Sequence, residues 1–173
     1  MRRYLIYFLT TIVLAGTGCD DDKQTGPGPI TEIDKQFILA AADDALFQVN
    51  AGQVAASGTT VKAIRDYAEE MTDDHTKAGQ ALQKLGADKQ VEIPTTLSDD
   101  RQQQLDSLSM TSGAALDTLY LSQMVAAQER AEHMMEIQAT EGNDIELKQW
   151  AAGRLPVVRQ FSERARAMRD SLK

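Results

Sequence analysis

Two histidines and the acidic residues around them are the side chains of this sequence best suited to chemistry. Imidazole and carboxylate groups bind transition metals. A di-metal site in a helical bundle needs Glu-x-x-His pairs, because a spacing of three puts both ligands on one helix face. Neither histidine has such a partner: Thr72 lies three residues before His75, and Arg130 lies three residues before His133. The spacing therefore argues against an ordinary di-iron oxidase.

His75 has two roles that the sequence leaves open. It could be a metal ligand together with Asp44 or Asp74. Alternatively, it could hydrogen-bond within a buried polar layer formed by Asp44, Gln48, His75 and Gln128. We favour the second role, because a buried imidazole needs partners for its ring nitrogens. A direct pair between Asp44 and His75 would raise the pKa of the histidine.

Other kinds of reactive site have less support. Cys19 is the only cysteine, so neither an internal disulfide nor a cysteine-based metal cluster can form. No residue stands in a known nucleophile motif, and Gly26-Pro27-Gly28 lacks the preceding strand and following helix of a phosphate-binding loop. We therefore expect no cofactor, and we favour a protein without catalytic activity.

The charge balance of the chain excludes one large class of partner. The formal net charge is −8, from 18 basic and 26 acidic residues, and the basic residues form no cluster. Because contact with nucleic-acid phosphates needs clustered Lys and Arg, we expect no nucleic-acid partner. An acidic surface of this kind mainly keeps a protein soluble.

The beginning of the chain has the features of an export signal. Arg2 and Arg3 precede an apolar run over residues 4–15, which only two threonines interrupt. At about 12 residues this run is too short to span a bilayer, which needs roughly 20, but it has the length of the apolar part of a signal peptide. Residues 1–18 are therefore predicted to be a signal peptide.

The stretch from Leu14 to Cys19 resembles a bacterial lipobox. In such proteins the signal peptide is cut before the cysteine, which is then acylated. Gly16 departs from the pattern, because Leu, Val or Ile usually stands three residues before the cysteine. An ordinary secretory signal that leaves a free thiol is the alternative. We expect lipidation of Cys19, which would anchor the protein to a membrane.

Residues 19–30 are predicted to be the lipidated cysteine and a flexible tether, because Gly26-Pro27-Gly28-Pro29 can form neither helix nor strand. The acidic run Asp20-Asp21-Asp22 resembles lipoprotein sorting signals. Such signals mean inner-membrane retention in one bacterial lineage and surface export in another. We expect an exported cell-envelope lipoprotein, placed in the outer membrane or on the cell surface rather than in the inner membrane.

Residues 31–173 are predicted to form helices, because apolar residues recur at alternating spacings of three and four. Thr31 as N-cap with Asp34 predicts the start of the first helix. Ile33 and Val61 are the first members of two stripes that should face the core. The long helices are predicted to end at Gly58, Gly86 and Gly142, and Asn143 is predicted to cap the last one.

Four long amphipathic segments without strand-like alternation predict an all-α fold, an antiparallel four-helix bundle. A short extra helix after Ser98 lies in the long connection between the second and third long helices. A connection of this length can cross the bundle, which is typical of ferritin-like folds.

A series of short motifs covers residues 34–170. In order, they are Asp34-Lys35-Gln36-Phe37, Val61-Lys62, Met71-Thr72-Asp73-Asp74-His75, Ser112-Gly113, Asp117 with Tyr120, Met124-Val125 and Leu155-Pro156. Together they resemble an exported bacterial family, domain of unknown function 4142 (DUF4142), whose members are often labelled outer membrane proteins. The resemblance implies a ferritin-like four-helix fold in the periplasm or on an outer surface, without an established activity.

The resemblance also shows where this chain departs from its relatives. Members of that family often carry Glu at the position of Gln48, and His at the positions of Gln128 and Phe161. Only His75 of the recurrent histidines is kept here. The resemblance therefore implies a polar interior with fewer ligating groups than is usual for the family.

We interpret the chain as a lipid-anchored helical bundle of the cell envelope, a non-catalytic binding or structural module. Its expected partners are the membrane, through the lipid, and a protein or small ligand of unknown identity. The alternative is a metal-binding or redox ferritin-like protein with a degenerate site around His75. Stoichiometric metal that is lost on replacing His75 would favour this alternative.

Overall fold

The computed structural model describes residues 29–172, which fold into five α-helices. They are α1 (Glu32–Gly58), α2 (Lys62–Asp88), α3 (Asp99–Ser109), α4 (Gly113–Glu141) and α5 (Ile145–Ser171). These residues contain no strand, which confirms the prediction of an all-α fold. The predicted signal peptide, Cys19 and most of the predicted tether lie outside the described residues. Of the five helices, none combines the length and the apolar character that crossing a membrane requires.

The start of α1 is held by a reciprocal pair of hydrogen bonds, as the sequence predicts. The Thr31 hydroxyl accepts a bond from the Asp34 backbone N–H at 3.3 Å, and Asp34 Oδ2 accepts one from the Thr31 backbone N–H at 2.9 Å. This capping box satisfies backbone donors that a helix end otherwise leaves unpaired.

The end of α2 differs from the prediction. Gly86 lies inside α2, which continues to Asp88. Gly86 does not end the helix. Instead, the Ile93 side chain packs closely against it, so that a Cβ atom at this position would lie 2.7 Å from Ile93. Its carbonyl also accepts a hydrogen bond from the Val91 backbone N–H at 2.8 Å, which folds the following loop back onto the helix.

The cap of α5 also differs from the prediction. Asp144, not Asn143, is the N-cap, and its carboxylate accepts a hydrogen bond from the Leu147 backbone N–H at 2.9 Å. The Asn143 backbone N–H donates to Asp34 Oδ1 at 3.0 Å instead. Asn143 therefore links the α4–α5 loop to α1.

The long helices pack as antiparallel neighbours. α1 packs against α2 and α4, and α4 packs against α5, while α2 and α5 also touch. Asp34 meets Gln138 near one end of α1, and Gln48 meets Gln128 farther along, so α1 and α4 run in opposite directions.

The connection from α2 to α4 runs beside α1 and contains α3. The Asp43 carboxylate on α1 accepts hydrogen bonds from the Ser98 backbone N–H at 2.9 Å and from the Ser98 hydroxyl at 2.7 Å, immediately before α3 begins. α3 then packs on α1 and touches α4. This path brings the polar short helix over the middle of α1, where it can reach buried groups.

Two apolar clusters form the interior. The larger includes Phe47, Tyr67, Tyr120, Met124 and Phe161, and the other includes Phe37, Ile38, Leu82 and Leu147. Ile33 and Val61, predicted to face the core, are instead 44% and 38% exposed. Both lie at helix starts. Periodicity gives the direction of a side chain there, but it does not show whether a neighbouring helix covers that side chain.

Candidate functional site

Asp44, Gln48, His75 and Gln128, here called the polar layer, are all buried where the two apolar clusters meet. Three of them form a chain of hydrogen bonds. Gln48 Nε2 donates to Asp44 Oδ2 at 2.6 Å, and Gln128 Nε2 donates to Gln48 Oε1 at 2.6 Å. The chain joins α1 to α4 through side-chain amides.

His75 lies beside this chain but does not hydrogen-bond to it. Its Nδ1 lies 3.1 Å from the Met71 carbonyl, so the nitrogen carries the proton and donates. The same nitrogen is 3.6 Å from Asp74 Oδ2. Burial lowers the pKa of His75 below its ordinary value of 6.5, although the charges of Asp44 and Asp74 oppose this. The charge of Asp44 therefore acts in the expected direction, but Asp44 pairs with Arg101 rather than with His75, and burial outweighs its effect.

Asp44 pairs with Arg101, which α3 supplies. Both side chains are largely buried, and the Arg101 guanidinium lies 4.7 Å from the centre of the Phe47 ring. A planar cation stacked on an aromatic face and paired with a carboxylate is a stable arrangement for buried charge. Arg101 was not among the predicted residues, because α3 is too polar for its buried side to be recognised from hydropathy.

Asp74, the other carboxylate considered as a ligand, is held by Arg154 of α5. The Arg154 Nη1 to Asp74 Oδ1 distance is 3.0 Å, and a second hydrogen bond runs parallel to it. Burial alone would raise the pKa of Asp74, but the hydrogen bonds and charge of Arg154 lower it.

These pairings bear on the possible metal site. Asp44 and Asp74 each face a guanidinium, which already supplies the positive charge that a metal ion would bring. Gln48 and Gln128 offer amide groups that are engaged with each other. Within residues 29–172, no group of three or more His, Cys, Asp or Glu side chains is arranged to hold a metal ion. The donor set around His75 does not fit a resident metal.

A groove between α1 and α4 opens on the side of the bundle where Arg101 docks. Its volume is about 570 Å³, within the usual range for small-molecule sites. Its apolar lining consists of Ile33, Phe37, Ala40, Ala131, Met134 and Ile137, and we call this surface the α1–α4 groove. Asp44 and Arg101 line it as well, so the polar layer reaches the groove wall.

A model of the family described as Domain of unknown function (DUF4142) matches residues 20–168. The chain belongs to this family. No curated protein and no solved structure matches it.

The DUF4142 match contains every residue of the polar layer and of the α1–α4 groove. α1 and α4, which both contribute to the polar layer and to the groove, lie within the matched region. The family description names no activity.

Proposed function

We propose that this protein is a lipid-anchored, non-catalytic binding module of the cell envelope, built as a ferritin-like four-helix bundle. The α1–α4 groove is its binding site in this proposal. Lipidation at Cys19 and the tether before α1 would hold the groove close to a membrane surface.

The packing of the helices supports the ferritin-like arrangement. α1, α2, α4 and α5 are long antiparallel neighbours, and α2 is joined to α4 by a connection that runs along α1. Crossover connections of this type distinguish ferritin-like folds from simple up-and-down bundles.

The observation that carries the binding proposal is the α1–α4 groove itself. It combines an apolar lining with a few polar groups at its ends, as small-molecule sites do. Ile33 contributes to this lining and is 44% exposed, so a ligand can reach the groove wall from solvent. Catalysis has weaker support, because the carboxylates near His75 are tied to arginines.

Binding by the groove can be tested with a neutral apolar dye, Nile red. Residues 29–172 contain all five helices and both apolar clusters, so we expect the chain from residue 20 to fold without the anchor. Dye fluorescence should rise on binding and saturate at one dye per chain. Ile33→Glu should weaken binding about tenfold or more, because it places a charge on the groove wall.

Ile145→Glu is the matched control. Ile145 is also near a helix start and is 47% exposed, but it lies outside the groove. Its replacement should leave dye binding unchanged. Equal losses in both variants, or no saturable binding, would contradict the proposal.

Anchoring is tested separately on the protein made in cells. Mass spectrometry of the mature N-terminus should find acyl chains on Cys19, and Cys19→Ser should release the protein from the membrane fraction. An unacylated N-terminus would contradict the lipid anchor. Stoichiometric iron, copper or zinc in the purified protein, lost in His75→Ala, would favour the metal-binding alternative instead.

A further inference from the structure

The α1–α4 groove has electrically different ends. Arg101, Arg130 and His133 line one end, and Glu141 lines the other. Arg130 and Glu141 lie on the same helix, and at about 1.5 Å of rise per residue they are roughly 16 Å apart. An elongated ligand with one charged end would therefore meet opposite fields at the two ends of the groove.

Arg130 stands out among the cations of the groove, because its neighbouring carboxylates are already engaged. Asp44 and Glu129 are the two acids that act on it electrostatically. Asp44 is paired with Arg101, and Glu129 accepts a hydrogen bond from Arg166 at 2.7 Å. Within the described part of the chain, Arg130 itself makes neither a hydrogen bond nor an ion pair.

One unbalanced positive charge thus remains at this end of the groove, in a chain whose net charge is −8. Arg101 and Arg130 both line this end of the groove, and burial together with the like charge of Arg101 lowers the pKa of Arg130. A single negative charge placed there would relieve the repulsion. A carboxylate also matches the planar fork of a guanidinium with two parallel hydrogen bonds.

Between the charged ends the groove is apolar. Phe37, Met134 and Ile137 line it along facing helices. With C–C bonds of about 1.5 Å, an extended alkyl chain advances about 1.25 Å per carbon, so roughly 16 Å corresponds to about a dozen carbons. The groove has a volume of about 570 Å³ and, within residues 29–172, one unpaired cation, which favours a ligand with one chain and one charge.

We propose that the α1–α4 groove binds a free, single-chain alkyl carboxylate of about a dozen carbons. Arg130 holds the carboxylate, and the chain lies along Phe37, Met134 and Ile137 toward Glu141. This inference rests on the proposed binding function and names its ligand class. Glu141 fixes the orientation, because a carboxylate at that end would be repelled.

Titration calorimetry with dodecanoate, below the concentration at which it forms micelles, tests the proposal. Dodecanol keeps the chain and removes the charge, and butyrate keeps the charge and shortens the chain. Dodecanoate should bind at one molecule per protein chain and at least about tenfold more tightly than dodecanol or butyrate. It exceeds dodecanol because a charged hydrogen bond contributes more than a neutral one, and it exceeds butyrate because the longer alkyl chain buries more apolar surface. The ring of Trp150 packs edge-on against that of Phe37, with 5.9 Å between the ring centres, so Trp150 fluorescence gives a second measurement of dodecanoate binding.

Arg130→Gln should weaken dodecanoate binding at least about tenfold and leave dodecanol binding unchanged, whereas Arg130→Lys should restore part of the loss. Arg159→Gln is the matched control, because Arg159 is an exposed arginine that pairs with Glu132 and Glu136 outside the groove. It should bind dodecanoate like the unaltered protein. Circular dichroism should show that all three variants keep their helices.

Several outcomes would overturn the inference. They are equal affinity for dodecanoate and dodecanol, no effect of Arg130→Gln, and equally tight binding to phosphatidylglycerol vesicles. If Nile red still binds and Ile33→Glu still removes it, only the ligand class is wrong. If the dye does not bind either, the proposed binding function itself fails.

Discussion

Asp34 and Asp44 lie on the same helix and are both buried, but their charges are balanced in different ways. Asp34 accepts hydrogen bonds from neutral donors, three of them backbone N–H groups. The donors are the backbone N–H groups of Thr31, Asn143 and Asp144, the Gln138 amide and the Thr31 hydroxyl. Asp44 is held instead by one amide, from Gln48, and by a full positive charge, from Arg101.

Asp34 belongs to a structural region of the molecule, and Asp44 belongs to the candidate functional site. The donors to Asp34 come from the starts of α1 and α5 and from α4, so the bonds persist only while these helix ends stay together. Asp44 depends on a long side chain from α3, whose guanidinium also lines the α1–α4 groove. A ligand at the groove can therefore act on Asp44 through the charge of Arg101, whereas Asp34 meets the groove only through the neutral Gln138 amide.

The largest expected effect concerns Asp44. Asp44→Asn should lower the free energy of unfolding by about 3 kcal/mol, because Arg101 is left largely buried without a counter-charge. Adding Arg101→Met should recover most of the loss. Urea titration at pH 7 measures both variants. A double variant as unstable as the single one would mean that charge pairing is not what distinguishes Asp44.

A smaller effect is expected at Asp34. Although burial by itself would raise the pKa of Asp34, its hydrogen bonds, led by those from Thr31 and Gln138, lower it from 3.8 to about 2. Asp34→Asn should cost about 2 kcal/mol at pH 7, as the loss of charge-assisted hydrogen bonds does.

The pH dependence of this effect follows from the direction of the shift. The folded pKa is lower than the unfolded one, so the stabilisation is complete above pH 3.8 and is lost as the pH falls toward 2. The difference in stability between the unaltered protein and Asp34→Asn should therefore shrink steadily as the pH falls from 3.8 through about 2. A difference that persists unchanged at pH 2 would contradict the role given to the carboxylate.

The two glutamines of the polar layer should differ from each other. Gln48 both donates to Asp44 and accepts from Gln128, whereas the Gln128 carbonyl oxygen has no hydrogen-bond partner among residues 29–172. Gln48→Met should therefore cost about 1.5 kcal/mol, and Gln128→Met about 0.5 kcal/mol. Thermal unfolding of the two variants, measured side by side, shows which substitution destabilises the protein more. The reverse order would show that the amide chain does not support Asp44.

A pH-dependent effect is expected at His75. Its folded pKa is lowered below 6.5 by burial, so its neutral form stabilises the fold above pH 6.5 and that contribution is lost as the pH falls. Between pH 7.5 and 5.5 the loss should be about 1 kcal/mol. His75→Phe should remove this part of the pH dependence, and His133→Gln, at the exposed second histidine, should retain it. Identical pH profiles for both variants would contradict the assignment.

Contacts between residues close together in the sequence could be predicted, whereas contacts between distant segments could not. The capping box of Thr31 and Asp34 depends on residues three apart, so local spacing was enough to predict it. The further bonds of Asp34 to Gln138 and Asn143 join segments far apart in the chain. The apolar periodicity of α1 also predicted that Asp44 faces the interior. Arg101 could not be predicted in this way, because the sequence of α3 does not show which of its polar residues turns inward.

The sequence by itself determined the helices, most of their ends and the inward direction of the polar layer, because these depend on spacings within one segment. Tertiary structure alone decided which charges meet. It also decided that Ile33 lines an open groove rather than the core, and that Arg130 pairs with no carboxylate among the residues the structure describes. These outcomes depend on how far one helix extends over another, and on where the α2–α4 connection crosses α1, which no local pattern encodes.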